Sequence, residues 1–401
     1  MKTGTMKRCA GGLGWLILAG GIWTASLHAA AAAAAGGESV RAGVRLMRVP
    51  EGGVQPQVAT DAASVVHLIF LKGEPAATDI FYCRLRPGQE RFSPPLRVNS
   101  QAGSAIAMGT IRGPQLALGR GGRVHVAWNG SNAATPKPAR GTPMLYARLN
   151  EAGTAFEAQR DLITTAAGLD GGGGVAADAA GNVYVLWHAP GTPESKGELY
   201  RAVFVAVSRD DGKTFAPERR ASAAPTGACG CCGMKAMVDA KGTLFAVYRS
   251  ATAEGNRDIN LLVSRDQGRT FDVGLVDPWL VKQCPMSSMS LTSGAAGVLL
   301  GWETAGQVSF GVVDAGVSVQ RRVQLSELRG AKHPALVTRE ASGETLAVWT
   351  QGTGWQRGGS LAWQVYDKAG RPTAEKGRAE GLPVWDYAAA FARGGGFTIL
   401  Y

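Results

Sequence analysis

Residues 208–215 read Ser-Arg-Asp-Asp-Gly-Lys-Thr-Phe, and residues 264–271 read Ser-Arg-Asp-Gln-Gly-Arg-Thr-Phe. Both fit the pattern Ser-x-Asp-x-Gly-x-Thr-Phe, and the two copies begin 56 residues apart. In such a phrase the Asp side chain bonds nearby backbone groups, Gly takes a turn conformation that other residues resist, and the aromatic residue anchors the next strand. A hairpin turn that recurs at intervals of about 50 residues indicates a propeller or a similar repeat array.

A second repeat runs through the whole chain. An apolar strand, a polar turn and a second apolar strand recur seven times, with first strands near Pro56, Pro114, Gly174, Lys235, Met289, His333 and Asp386. Near-continuous apolar strands are typical of the inner half of a propeller blade, which is buried on both faces. The third and fourth strands of each blade follow, and the Ser-x-Asp turns lie between them.

The two ends of the chain complement each other. The last apolar pair has no outer strands after it, whereas Ser39 to Val49 is left over at the front. Pairing of these segments closes the ring and removes exposed sheet edges. The sequence therefore predicts an all-β propeller of seven four-stranded blades, closed by its N- and C-terminal strands.

The first 35 residues have the features of a signal peptide: a basic start, an apolar stretch from Leu13 to Leu27 and an alanine run with Ala-x-Ala sites. We expect export to the periplasm or the extracellular space, with residues 36–401 forming one propeller domain. No later segment approaches the 18 apolar residues of a transmembrane helix, so no membrane span is expected. The basic residues behind the net charge of +11 are scattered, which favours solubility and anionic ligands over nucleic acid.

Blade topology predicts which residues meet. The start of the first strand and the end of the second emerge on one face, here called the mouth, while the turn between the third and fourth strands lies on the opposite face. The ligand-binding residues expected at the mouth are Arg112, Asn129, His188, Arg249, Lys332, His333, Arg357 and Trp385, with Trp355 in a longer loop. Such a collection suits a polar, anionic or sugar-like ligand.

Five cysteines follow the leader. Cys83 falls in an apolar third strand and is expected to be a buried free thiol. The other four, together with Met286, precede the fourth and fifth inner strands and should meet at the mouth: Cys229, Cys231, Cys232 and Cys284. An exported setting favours disulfides. The alternatives are a copper(I) or zinc site, since thiolates and a thioether suit soft metals, and a redox-active pair.

The repeated phrase resembles the Asp box of the sialidase-like, or BNR-repeat, superfamily. The residues that carry the resemblance are Ser208, Asp210, Gly212, Thr214 and Phe215 in the first copy and Ser264, Asp266, Gly268, Thr270 and Phe271 in the second. Asp boxes in that superfamily lie away from the catalytic face, so the resemblance implies a structural role for them. Sialidases have six blades, which is the alternative to the seven counted here.

The resemblance also implies a chemistry. Sialidases use a tyrosine nucleophile supported by a glutamate, an aspartate acid/base and arginines that grip the substrate carboxylate. The residues whose mouth position suits these roles are Tyr248 or Tyr387, Glu303, Asp170, Asp386, Arg112, Arg249 and Arg357. Two hypotheses stay open. One is an exported propeller that binds glycans or cleaves them as an exo-glycosidase. The other is a non-catalytic propeller whose cysteines bind copper, zinc or a protein partner.

Overall fold

The structure, a computed structural model, describes residues 40–41, 43–138, 141–166, 171–192, 194–222 and 226–401. The predicted signal peptide, Ser39 and Asp170 lie outside these ranges. Residues Glu38–Tyr401 group into one compact unit. The described residues are almost entirely β-structure, with short 3-10 turns at Pro50–Gly52, Arg120–Gly122 and Glu198–Tyr200. Within these ranges no helix has the length and apolarity that a membrane crossing requires.

Two short strands open the chain, β1 (Val40–Arg41) and β2 (Val44–Met47). Six antiparallel four-stranded sheets then follow in chain order. Blade 1 contains β3 (Val54–Thr60), β4 (Val66–Glu74), β5 (Ala77–Leu85) and β6 (Leu96–Arg97). Blade 2 contains β7 (Gln115–Leu118), β8 (Val124–Asn129), β9 (Met144–Arg148) and β10 (Arg160–Asp161). Blade 3 contains β11 (Gly173–Ala177), β12 (Val183–Pro190), β13 (Arg201–Ser208) and β14 (Arg219–Arg220).

The next three sheets repeat this plan. Blade 4 contains β15 (Lys235–Val238), β16 (Leu244–Arg249), β17 (Ile259–Ser264) and β18 (Asp272–Asp277). Blade 5 contains β19 (Ser290–Gly294), β20 (Gly297–Thr304), β21 (Gln307–Val313) and β22 (Val319–Gln324). Blade 6 contains β23 (Ala331–Arg339), β24 (Glu344–Gln351), β25 (Gly359–Tyr366) and β26 (Pro372–Leu382).

The seventh sheet joins the two ends of the chain. Its inner strands are β27 (Ala389–Arg393) and β28 (Gly396–Leu400), and β2 pairs in parallel with β28 from Val44 opposite Phe397 to Met47 opposite Leu400. Strand β1 completes this sheet by pairing antiparallel with β2. This closure confirms the predicted seven-bladed propeller.

The core lies between neighbouring blades. Side chains of β8 and β9 in blade 2 and of β12 and β13 in blade 3 form one buried cluster, for example Tyr146 with Val185 and Trp187. The tryptophans at the ends of the second strands, Trp128, Trp187 and Trp302, are at most 1% exposed, so they pack between blades. Burial on both faces explains why the inner strands are apolar throughout.

The two repeated phrases form the β13–β14 and β17–β18 turns, opposite the mouth. Asp210 Oδ1 accepts the Thr214 backbone N–H at 2.9 Å, and its Oδ2 accepts the Thr214 hydroxyl at 2.6 Å. Gly212 has a φ of +76°, and its N–H donates to Ser208 Oγ. The second copy repeats these bonds around Asp266. Phe215 and Phe271 pack against the inter-blade clusters, so the phrases act as strand anchors.

Candidate functional site

A cavity of about 90 Å³ opens where the mouth segments of five blades converge. We call it the mouth cavity. Its lining consists of Met108, Gly109, Thr110, Ile111, Arg112, Gly230, Cys231, Met286, Lys332, His333, Thr353, Gly354, Trp355, Arg357, Trp385 and Asp386. The structure thus brings together nine of the residues predicted from blade topology: Arg112, Cys231, Met286, Lys332, His333, Trp355, Arg357, Trp385 and Asp386.

Asp386 is the only carboxylate among the described residues of this lining. It is 1% exposed, and its Oδ1 accepts the backbone N–H groups of Gln55 at 2.6 Å and Tyr387 at 2.8 Å. Its Oδ2 is buried and has no hydrogen-bond partner among the described residues. Burial raises the pKa of Asp386 to about 7, although the two N–H groups oppose that rise. A carboxyl group that titrates near neutrality can donate or accept a proton.

Three cationic side chains line the same cavity as this carboxyl group. Arg112, Lys332 and Arg357 all line the cavity, and Lys332 Nζ is held by a 2.6 Å hydrogen bond to the Pro285 carbonyl. His333 adds no charge at neutral pH, because burial and the neighbouring Lys332 lower its pKa to about 3. The lining therefore carries a net positive charge, which attracts anions.

Two indoles provide the apolar part of the cavity. The rings of Trp355 and Trp385 lie 5.8 Å apart between centroids and are inclined by 58°. Trp355 is 50% exposed, and Trp385 Nε1 is a buried donor without a partner among the described residues. Exposed aromatic faces beside polar groups suit a ligand that is partly apolar and partly hydrogen-bonding, as a sugar ring is.

Several residues in and next to this cavity have a strained backbone. Gln55, Met286, His333 and Trp385 have φ values between +51° and +60°, a region that side chains other than glycine rarely occupy. Gln55 and His333 lie in register shifts that interrupt β3 and β23 at their mouth ends. β-Bulges and strained residues of this kind recur at functional sites, where they redirect side chains.

Four described residues that were predicted for sialidase chemistry lie outside the mouth cavity: Tyr248, Arg249, Glu303 and Tyr387. The Tyr248 hydroxyl shares a hydrogen bond with Thr226 Oγ1 at 2.9 Å, and its side chain is 1% exposed. Arg249 is buried and forms an ion pair with Glu303, with 3.4 Å between Nη2 and Oε2. Its guanidinium lies over the Trp279 ring. Burial raises the pKa of Glu303, and Arg249 opposes this effect. The pair joins blades 4 and 5.

The remaining predicted ligand residues are also internal. Asn129 donates to Thr142 Oγ1 at 2.5 Å and to the Gly130 carbonyl. His188, in β12, is 1% exposed, and Gly171 passes so close to it that an added Cβ would lie 2.8 Å from Cε1. Tyr387 is buried and accepts a hydrogen bond from Gln57 Nε2 at 3.1 Å. Asp170 is outside the described residues.

The cysteines form a compact group beside the cavity. Cys229 Sγ lies 3.3 Å from Cys231 Sγ and 3.4 Å from Cys232 Sγ, and Cys284 Sγ is within 4.8 Å of Cys229 Sγ. All four are free thiols in this structure, and Cys83 is the buried free thiol that the sequence predicts.

Within this group of cysteines, the thiol of Cys232 has a lowered pKa. Burial opposes ionisation of Cys232, but the neighbouring thiols bond its sulfur and Arg249 lies nearby. The pKa of Cys232 is therefore well below the usual value for a thiol.

The residues that line the channel beneath the mouth cavity were not predicted from the sequence. This axial channel is lined by the first strands, and Lys235 Nζ spans it by donating to Gln57 Oε1 and, at 2.7 Å, to Gln115 Oε1. Burial lowers the pKa of Lys235 to about 8. The sequence contained a signal for this channel. Gln57, Gln115 and Lys235 each stand four positions before the turn residue that follows their strand, which is Asp61, Gly119 and Asp239 respectively.

In sequence, no family model and no curated protein matches this chain. Solved structures do resemble it. An α-L-arabinanase of Penicillium chrysogenum aligns with 80% of this chain and 95% of its own, at 13% identity and a TM-score of 0.52. An α-L-arabinofuranosidase of Fusarium graminearum aligns with the same shares at 9% identity and 0.51. A Hadza microbial sialidase aligns with 79% of this chain and 69% of its own, at 13% identity and 0.50. The chain therefore has a sialidase-like β-propeller fold.

Proposed function

We propose that this protein recognises the carboxylated terminal unit of an acidic glycan in the mouth cavity. The observation that carries the proposal is the composition of the lining, in which three cationic side chains and two indoles share one cavity with a single buried carboxyl group. Arginine pairs with carboxylates through two parallel hydrogen bonds, and indole faces cover the apolar face of a sugar ring. Glycoside hydrolases among the structural neighbours make a saccharide ligand the natural first choice.

Asp386 fits an acidic ligand because it is protonated for part of the time at neutral pH. A neutral carboxyl group donates a hydrogen bond through the otherwise unpartnered Oδ2 and does not repel a ligand carboxylate. In its ionised form it would oppose the same ligand. We therefore propose stronger binding below pH 7 than above it. With the signal peptide predicted from the sequence, we also propose that the encounter takes place after export.

Recognition is favoured over cleavage by the residues that line the cavity. Glycosidases combine an acid with a second group that acts as a base or nucleophile, a carboxylate or in sialidases a tyrosine. Among the described lining residues there is no glutamate, tyrosine or second aspartate beside Asp386. Release of sugar from a fluorogenic sialoside or uronide by the purified protein would overturn the proposal of recognition without turnover.

A glycan array followed by titration calorimetry tests the proposal. We expect binding to be confined to carboxylated saccharides and to weaken about tenfold or more in Arg357→Gln, which removes one cation from the cavity. Arg371→Gln is the matched control, because Arg371 belongs to the same blade but lies in the β25–β26 turn at the opposite end, bonded to Asp367. Equal loss in both variants, or equal binding of neutral saccharides, would contradict the assignment.

A further inference from the structure

Three thiols from one short segment, residues 229–232, lie close together in the structure. Cys229, Cys231 and Cys232 place their sulfur atoms within 4.8 Å of one another, and the sulfur of Cys284, from the segment before β19, lies within 4.8 Å of the Cys229 sulfur. We call these four residues the cysteine site. Cys229 and Cys232 are 1% exposed, Cys231 lines the mouth cavity and Cys284 is exposed.

The segment that carries the three thiols is fixed by its backbone. The Cys229 N–H donates to the Arg249 carbonyl at 2.9 Å, and the Gly233 N–H donates to the Ser287 carbonyl at 2.9 Å. Between them, the Gly230 N–H donates to Glu198 Oε1 at 2.6 Å. The sulfurs are therefore held together before any ligand arrives, which lowers the cost of ordering a site.

The donor set of the site is all sulfur. Glu198 also lies within 4.8 Å of the Cys229 sulfur, but Oε1 accepts the Gly230 N–H and Oε2 accepts an N–H of Arg257 at 2.8 Å. These hydrogen bonds hold Glu198 against the segment, and the donor set proposed below consists of the sulfurs alone. Thiolates without oxygen donors select soft, thiophilic ions over magnesium, calcium or manganese.

The sulfur spacing is close to what such an ion needs. Sulfurs that lie about 2.3 Å from a tetrahedral zinc ion are roughly 3.8 Å apart. The observed 3.3 and 3.4 Å separations require the sulfurs to move outward by only about half an ångström.

We propose that Cys229, Cys231 and Cys232 bind one thiophilic metal ion, copper(I) or zinc(II), and that Cys284 supplies the fourth sulfur. Binding displaces protons from the thiols as metal–sulfur bonds form, with no change of oxidation state. The ion lies at the wall of the mouth cavity, since Cys231 is shared by both sites. This site does not depend on the saccharide proposal.

The test uses the full mature chain, reduced and handled without oxygen. Zinc(II) is added alone in one arm, and copper(I) as a complex with a colorimetric chelator in the other, and each sample is desalted before elemental analysis and thiol counting. We expect one ion per chain in at least one arm, a fall in reactive thiols, and competition with the chelator that tells which ion is held more tightly.

Three variants make the result specific. Cys231→Ser should reduce the affinity about 100-fold or more, and the exposed Cys284→Ser, which poses little risk to folding, should reduce it about tenfold or more. Cys83→Ala, in blade 1, is the matched control and should bind like the unaltered chain. The proposal is overturned if the reduced chain retains no stoichiometric ion in either arm. It is equally overturned if both cluster variants keep full affinity or if Cys83→Ala loses the ion.

Discussion

The buried carboxyl group of Asp386 makes a prediction about stability that can be worked out from the structure. Its pKa is about 7 in the folded protein, compared with about 3.9 for an aspartate in an unfolded chain. Between these values the folded state binds more protons than the unfolded state. The stabilising contribution of protonated Asp386 is therefore complete below pH 4 and is lost as the pH rises to 7.

The size of this effect follows from the pKa difference of roughly 3, which corresponds to about 4 kcal/mol at 1.36 kcal/mol per pKa unit. Asp386→Asn removes the titration while keeping its essential contacts. The amide oxygen still accepts the N–H groups of Gln55 and Tyr387, and the amide nitrogen replaces the protonated Oδ2. The variant and the unaltered protein should be nearly equal in stability at pH 4, and the variant should be more stable by up to about 4 kcal/mol at pH 8.

Urea unfolding of both proteins at intervals between pH 4 and pH 8 measures this difference. Other groups titrate in the same range, for example Asp161, whose pKa is raised to about 6 by burial, but their effects are common to the two proteins and cancel in the comparison. A stability difference that stays constant across the whole range would refute the reasoning. It would mean that Asp386 is solvated or paired in the folded protein and is not the buried acid of the mouth cavity.

Three further predictions concern the scaffold. Asp210→Ala removes the bonds to Thr214 and should lower the free energy of unfolding by about 1–2 kcal/mol while leaving saccharide affinity unchanged; lost affinity at unchanged stability would show that this turn contributes to the mouth. Deletion of residues up to Val49 exposes the partners of the buried Val44 and Val49 and should cost roughly 3–6 kcal/mol; an unchanged melting temperature would contradict terminal closure. Burial penalises the charged form of Lys235, so the protein should gain up to about 3 kcal/mol relative to Lys235→Met as the pH rises from 7 to 10. A pH-independent difference between these two proteins would show that Lys235 keeps its ordinary pKa in the channel.

The blade architecture was predictable because its signals are local. Apolar pairs of strands, the Asp–Gly turns and the unpaired segment before Pro50 are all visible in the sequence, and the structure pairs that segment with β28. The hydrogen bonds of a turn were harder to predict where the sequence departs from the Ser-x-Asp-x-Gly-x-Thr pattern. In the β9–β10 turn of blade 2 the acceptor is an amide and not an aspartate, since Asn150 Oδ1 accepts the Thr154 N–H at 3.0 Å.

The site was only partly predictable. Topology identified residues that emerge at the mouth, and Arg112, Lys332 and Asp386 do meet there. It gave no way to distinguish them from Arg249 and Glu303, which emerge on the same face but are buried against each other.

That difference depends on tertiary contacts. Trp279 covers the guanidinium of Arg249, and positive φ values redirect Gln55 and His333 at bulged strand ends. No local sequence pattern encodes either feature.

The most direct test of carboxylate recognition in the mouth cavity compares one acidic saccharide with its carboxyl-reduced counterpart in calorimetric titrations at pH 6. The two ligands share ring, hydroxyl groups and linkage, so they differ only in the group that the cations of the mouth cavity are proposed to bind. We expect measurable binding of the acid, at least tenfold weaker binding of the reduced sugar, and weaker binding of the acid at pH 8 than at pH 6. Equal affinities for the acid and its carboxyl-reduced counterpart would contradict the proposed role of the cations. Failure of every acidic saccharide on an array to bind would contradict it as well.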